Sequence, residues 1–539
     1  MSNIPFTVIE NATVLTQDPQ HPIASNLVMA GGKIIAVDAA VDQFPIASRI
    51  DAHKLTVVPG FNDVHAHSVW FGQTLMEVDL SSVKAASEVY DLIAKEAPNT
   101  PAGKWIVASG FVPGDLGADE LELEGLDRAA QGHPLLIKHN SGHAYTVNSQ
   151  ALVEAGLDPL APPVMEGGEF VVDEQGRFTG LVHENAMRYI QKVTLPLSQE
   201  RIGQALDLAT KRYVSEGITS ITDAGIMGGW ISHSPIELGA YQKANLHTRM
   251  QVMVTLDALH EIAGHADDGV GVGLDGGIRT GLGDEWLQIG PTKIFTDGSL
   301  LGKTAAMREN YECCHHHGYF QGDKDELKAK ALAAAASGWS LAMHAIGDAA
   351  IDFAIEVITE ATKRYGSPAT PHRIEHGGVT LDEQLRKLSG LNVAIASQPY
   401  FIPAFGDQMA AKLGAKRTAL SYPGKRILDA GLILPGSSDR PVAEGHPLKG
   451  MQAFAQRLTA TGHVYGEADR ISVAEALYAY TAGSAAATGW QGRKGQIIPG
   501  QLADVAVLAA NPLEVPVEEV GDIEVVSTFV GGERRFGEL

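Results

Sequence analysis

The sequence predicts an α/β protein built on a (β/α)8 TIM-type barrel, and three observations carry that prediction. Short apolar runs alternate with helix-period segments through the middle of the chain, the pattern of a parallel sheet with crossover helices. Polar residues with chemistry to offer fall at the ends of those runs, where a barrel presents its working face. The two ends of the chain share another texture, strand, turn and strand, and neither piece alone can bury a core. The expected organisation is a barrel over 59–485 and a small β-sandwich formed jointly by 1–58 and 486–539.

Taken in order, Phe6 to Val14 is rich in β-formers, Asn26 to Met29 leads into the turn Ala30-Gly31-Gly32, and Lys33 to Val37 returns. Val57 to His67 is the expected first barrel strand, an apolar run passing through Pro59 and Gly60 to His65 and His67. Side chains two apart on a strand share a face, so both imidazoles project together while Ala66 points away. The next stretch is too long for a loop. It holds strand-like segments at Lys104 to Ser109, Pro134 to His139, Gly168 to Asp173 and Phe178 to Val182, and a helix near Ser149 to Ala155. It is expected to be an insertion subdomain, about 75–198, above the barrel mouth.

Alternation then resumes. Ile202, Ala205, Leu206, Ala209 and Tyr213 mark one helical face, followed by the strand Gly217 to Asp223. Further strands are expected at Arg249 to Leu256, Leu287 to Phe295, Ser340 to His344, His372 to His376, Asn392 to Ser397 and Leu432 to Asp439. Helices are expected at Pro235 to Ala244, Asp325 to Ser337, Ala349 to Arg364, Leu381 to Leu388 and Gln408 to Ala430, with Asp348 as an N-cap. Gly495 to Val507, Val525 to Val530 and Glu533 to Phe536 supply the C-terminal share of the sandwich.

Composition narrows the function classes. A formal net charge of −23 disfavours nucleic acid or an anionic membrane as partner and suits a protein that handles small molecules. No apolar run approaches the length of a membrane span, and the N-terminus has no secretory pattern, so a cytoplasmic location is expected. The only cysteines, Cys313 and Cys314, are adjacent and imply no disulfide framework. Composition leaves assembly open, a homodimer included.

The chemistry gathers at strand ends. His65 and His67 end the first strand, Lys293 lies in the fourth, His344 ends the fifth, His376 the sixth and Asp439 the eighth. Four imidazoles and a carboxylate converging at one mouth form a nitrogen and oxygen site for one or two divalent ions, zinc above all. Each residue has a plainer reading: a lone His344 or His376 as a hydrogen-bonded core histidine, Lys293 as an ion-pair partner, Asp439 as a cap. The joint placement favours the metal. The triplet His315-His316-His317 reads as a solvated loop.

These segments together resemble the amidohydrolase superfamily of metal-dependent hydrolases, in particular its amidohydrolase-3 branch, which includes N-substituted formamide deformylases. The resemblance rests on Pro59-Gly-Phe-Asn-Asp-Val-His-Ala-His67, His143-Ala-Tyr-Thr-Val-Asn148-Ser-Gln-Ala-Leu152 and Lys293-Ile-Phe-Thr-Asp-Gly-Ser. It continues through His344-Ala-Ile-Gly-Asp348, Ile-Glu-His376, Ser-Asp439-Arg-Pro and Gly500-Gln-Leu-Ala-Asp504. It implies that His65 and His67 bind one metal, His344 and His376 a second, that Asp439 joins the first, and that Lys293, carboxylated by carbon dioxide, bridges the two. It further implies hydrolysis of a non-peptide carbon–nitrogen bond, a linear amide such as an N-substituted formamide, with Asp439 as general base and then acid. His143 and Glu184 are the expected substrate contacts. The segment Ser109 to Asp115 departs from the Gly-Trp-Asp-like pattern of relatives. Rival readings are hydrolysis of a cyclic amide, carbamate or ester, a metal-dependent lyase or isomerase on the same barrel, and a non-enzymatic ligand-binding protein.

Overall fold

The computed structural model describes residues 5–117, 119–139, 144–164, 168–228 and 231–539. The chain forms two compact units, one of residues 1–68, 206–231 and 235–539, the other of Val69–Ala205 and Ser232–Ser234. The stretch 75–198, expected to be an insertion, lies within the second.

The first unit is organised around two four-stranded parallel sheets. One runs, in spatial order, Leu287–Ile289, Arg249–Val254, Ile218–Ile226 and Phe61–Ala66. The other runs Thr292–Phe295, Leu341–Ala345, His372–His376 and Val393–Ala396. The strands Phe61–Ala66, Ile218–Ile226 and Arg249–Val254 are buried at every position, as parallel strands covered on both faces must be. The expected strand Leu287 to Phe295 is split at Gly290-Pro291, because Pro291 has no N–H to give a ladder. Gly290 N–H still donates to Val252 O, but Thr292 N–H donates to Ser340 O, so the strand changes neighbours at the break.

The expected eighth strand differs more. Leu432 to Asp439 makes no ladder; isolated bridges hold it, Ile433 with Ala394 within the stretch and Arg440 with Ala66 just beyond it. Pro435 lacks a donor, and the N–H of Gly436 turns instead to Ala479 O and Ser484 Oγ. Backbone bonds nonetheless tie the segment to both sheets: Ile395 N–H to Ile433 O, Val64 N–H to Gly436 O, and Asp439 N–H to His65 O. A parallel bridge between Thr255 and Lys293 joins the sheets on their other side. Neither sheet closes on itself.

The connecting helices follow apolar periodicity. Lys324–Ala336 starts at Asp323, whose carboxylate accepts the Glu326 N–H. Asp348–Tyr365 begins one residue earlier than a cap at Asp348 allows. Gly347 occupies the cap position, and Asp348 is the first helical residue, its carboxylate accepting from Arg308 N–H. The long helix expected at Gln408 to Ala430 is instead broken twice: Phe401–Thr418 kinks at Gly414 (φ 71°), and Lys425–Asp429 starts anew where Pro423-Gly424 interrupts.

The chain ends build two further sheets of this unit, one shared by both ends and one from the N-terminal segment alone. The six-stranded sheet runs Glu533–Gly537, Val525–Val530, Val505–Leu508, Thr56–Pro59, Thr13–Leu15 and Ile23–Ala24, so three late strands join three early ones at the antiparallel pair Val505–Leu508 and Thr56–Pro59. A four-stranded sheet runs Lys33–Val37, Leu27–Ala30, Phe6–Glu10 and Ile46–Asp51. Ile9, Leu27, Val57, Val505 and Phe529 from the two sheets share one buried core. The buried pair Arg249–Asp504 fastens a strand of the parallel sheet to the C-terminal segment, with contacts of 2.7 and 2.9 Å.

The second unit holds a six-stranded mixed sheet in the order Gly168–Val172, Phe178–Glu184, Ala144–Val147, Leu135–His139, Ile106–Phe111, Val78–Asp79. Asn148 caps the helix Ser149–Glu154 by accepting the Ala151 N–H. Among the described residues no helix is long and apolar enough to cross a membrane.

Candidate metal centre

His65 lies near the end of the strand Phe61–Ala66, with His67 just beyond it; His344 is in the strand Leu341–Ala345, and His376 closes His372–His376. Parallel register aligns these ends: Phe295 pairs with His344, and His344 with Glu375. Asp439 arrives on the irregular segment bonded to His65 O. His376 and Asp439 hold φ values of 73° and 62°, a left-handed backbone that non-glycine residues enter at a cost.

The six residues expected from sequence to serve the metal come together, all within the first unit. His67 Nε2 lies 3.0 Å and His65 Nε2 3.4 Å from Asp439 Oδ1. Lys293 Nζ stands 3.4 Å from His65 Nε2. The ring centroids of His65 and His376 are 4.8 Å apart, and those of His344 and His376 are 4.5 Å apart. His65, His376 and Asp439, all buried, each offer one ligand atom within 4.8 Å of the others.

Sequence reasoning missed the residues that aim these rings. His65 Nδ1 bonds the Glu375 carboxylate, which is itself gripped by Arg373, Nε to Oε1 at 2.7 Å and Nη2 to Oε2 at 2.8 Å. His344 Nδ1 lies 3.0 Å from Asp297 Oδ1, and Asp297 also accepts backbone N–H groups from Ala306, Ile346 and Gly347. His376 Nδ1 lies 2.7 Å from Gln398 Oε1. The Gln398 amide cannot turn, because its Nε2 donates to Ala396 O and Ser437 Oγ. Three acceptors therefore draw the proton onto Nδ1 of three histidines and free each Nε2 as a lone-pair donor, the arrangement a metal-ligating imidazole needs. One signal for the hidden pair was available: Arg373 and Glu375 are opposite charges two apart, hence on one face, of a strand expected inside the barrel, and buried charges need partners.

Asp63 joins the strand Phe61–Ala66 to the irregular segment, accepting from the N–H groups of His65 and Ser438 and from the Ser438 hydroxyl. Burial pushes its pKa up to about 6. Burial likewise lowers the Lys293 ammonium to about 8, against the pull of Glu375 and Asp439. Burial works to raise Asp439, but the neighbouring His65 and His67 imidazoles outweigh it and hold the carboxylate well below its usual range. Burial also keeps His67 and His376 below the ordinary imidazole value, favouring the neutral form that can ligate. Buried, preoriented, neutral nitrogens beside a charged carboxylate fit a divalent cation of the zinc type.

Lys293, His344, His376 and Asp439 also line a cavity of about 870 Å³, large enough for a drug-sized molecule. Of the expected substrate contacts, Glu184 ends the strand Phe178–Glu184 in the second unit, with φ 49°. His143 lies outside the described residues.

The chain is 27% identical over 551 residues to the N-substituted formamide deformylase of Arthrobacter pascens, covering 99% of both chains. It is 26% identical over 544 residues to the Protein LONG AFTER FAR-RED 3 of Arabidopsis thaliana, covering 98% of this chain and 91% of the relative. An uncharacterized metal-dependent hydrolase from Pyrococcus horikoshii OT3 shares the fold, with a TM-score of 0.77 at 23% identity over 95% of this chain and 99% of its own. The model of the Amidohydrolase family matches residues 49–536, and the chain belongs to that family of hydrolases.

Proposed function

We propose that this protein hydrolyses a carbon–nitrogen bond of a small, non-peptide linear amide, an N-substituted formamide being the concrete case. The observation that carries the reading is the buried set His65, His376 and Asp439, with His67, His344 and Lys293 around it, opening on a cavity of about 870 Å³. The fold we infer is one (β/α)8 barrel made from the two parallel sheets and the segment 432–440, with the second unit as its insertion subdomain. The bonds from Val64 and Ile395 to that segment support closure.

His65, His67, His344, His376 and Asp439 would hold one or two zinc ions, with Lys293 carboxylated as the bridge between two. A lysine lowered to about 8 offers the neutral amine that reacts with carbon dioxide. A cation held there lowers the pKa of water and polarises a carbonyl. The chain's own part is proton handling and orientation. Asp439, kept ionised, accepts a proton from the attacking water and returns it to the leaving nitrogen. Glu375, Asp297 and Gln398 keep the imidazoles aimed while charge changes beside them. The acidic chain, with its two free cysteines, suits cytoplasmic work on small molecules.

The test is metal analysis of the purified protein joined to an amine-release screen over formamides, acetamides, carbamates and lactams. Release from formamides in proportion to bound metal supports the reading. Release from no amide at full metal occupancy removes it and leaves the fold untouched.

A further inference from the structure

One wall of the cavity is a stripe on a single helix. Phe401, Phe405 and Met409 recur every four residues on Phe401–Thr418, so their side chains share one face. Phe401 stacks on the His376 ring, with centroids 6.3 Å apart and 25° between planes. Phe405 meets Phe401 edge-on at 5.4 Å and is itself only partly buried. Leu300 and Leu301, from the chain after Lys293, add to the same lining. Apolar surface therefore runs without interruption from a candidate metal ligand into the body of the cavity.

Acidic side chains outnumber basic ones on the lining. Its lysine and arginine side chains, among the described residues, are Lys293, which sits in the histidine cluster, and Lys330, which is 2.8 Å from Glu326. Asp257 and Asp323 are exposed on the same lining. Lys330, the one basic side chain of the lining outside the histidine cluster among the described residues, stands beside Glu326 at the solvent-exposed rim, and the exposed acids Asp257 and Asp323 oppose the approach of a substrate carboxylate.

We propose that the cavity selects amides whose substituent is uncharged and apolar and turns away substrates that carry a carboxylate on it. The proposal rests on the amide-hydrolase reading above and adds the chemistry of the group attached to the scissile nitrogen. Phe405 is its specificity-determining residue. Phe401 is too deeply packed against His376 and Tyr422 to be altered without disturbing the site.

The experiment compares N-methylformamide, N-pentylformamide and N-(4-carboxybutyl)formamide by formate release from the metal-loaded enzyme. Burial of the four extra methylenes predicts a kcat/KM about 100-fold higher for the pentyl than the methyl compound. The carboxybutyl compound, of similar length, is expected to fall about 10-fold below the pentyl, through KM. Phe405→Ser shrinks the pentyl-to-methyl ratio and Phe405→Leu restores most of it; Leu301→Ser serves as a second probe of the wall if the first variant is unstable. Equal turnover of the pentyl and carboxybutyl compounds overturns the proposal. If none of the three is hydrolysed, the amide reading fails separately. Calorimetric binding of the same neutral and anionic compounds then decides the selectivity: preference for N-pentylformamide upholds it, and equal or tighter binding of the carboxylate ends it.

Discussion

Arg373 and Glu375 stand two residues apart on one strand, both with side chains wholly shielded from solvent, and their 2.7 Å contact holds the carboxylate that orients His65. Removing either charge alone strands the other in the interior. The informative comparison is between two neutral double variants. Glu375→Gln with Arg373→Met keeps an acceptor for His65 Nδ1; Glu375→Leu with Arg373→Met does not. Zinc affinity, read by chelator competition, is expected to be about 10- to 100-fold weaker in the second. Equal affinities would show that the carboxylate serves folding only.

Asp439→Asn preserves size and one ligand oxygen but cannot take a proton. Turnover is expected to fall about 100- to 10,000-fold, while metal content, measured by elemental analysis, stays within a factor of two of the parent. Near-normal turnover in this variant would remove Asp439 from the proton-transfer role.

Asp504 tests the join between the late segment and the parallel sheet. It accepts two bonds from buried Arg249 and one from Gly531 N–H. Asp504→Ala leaves a buried guanidinium without its counter-charge, and a loss of about 3–5 kcal/mol in urea unfolding is expected. Activity per folded molecule should change little, since no atom of the histidine cluster touches this pair.

His372 gives the fold a defined acid sensitivity. Burial lowers its pKa to about 4, and its Nδ1 accepts the Leu341 N–H, so the native ring is neutral. An unfolded histidine titrates near 6.5. Below that value the unfolded chain takes up a proton that the native state refuses, so stability is unaffected above it and falls as the pH drops toward 4. The full effect is about 3 kcal/mol. His372→Asn keeps an acceptor for Leu341 without the titration. Its unfolding free energy, compared with the parent's from pH 7 to 4 in a chelator, should decline less steeply; parallel curves would refute the assignment.

How much of this was legible in the sequence follows from physics that acts locally. His65 and His67 share a face because strand geometry has a period of two, and that is visible in the letters alone. Parallel strands in order carry His344 and His376 beside them, so the alternation of elements sufficed to group the histidines, Lys293 and Asp439. Glu375, Asp297 and Gln398 were not legible as partners, because which acceptor meets which Nδ1 depends on register between strands, not on spacing along one. The irregularity of 432–440 depends on where the Gly436 N–H goes, and its acceptors at Ala479 and Ser484 lie well along the chain. Pro423-Gly424 was readable as a helix break, yet the apolar pattern on either side masks it.

The sheet shared by the two chain ends constrains the order in which the molecule is made. Thr56–Pro59 is hydrogen-bonded on one side to Thr13–Leu15 and on the other to Val505–Leu508. A ribosome releases the first two of these strands long before the third exists. For nearly the whole of translation the nascent chain carries an apolar strand with a vacant edge, the geometry that invites pairing with a neighbouring polypeptide. Shielding of that edge by a chaperone, or fast ribosome spacing along the message, would then govern yield as much as the stability of the finished protein.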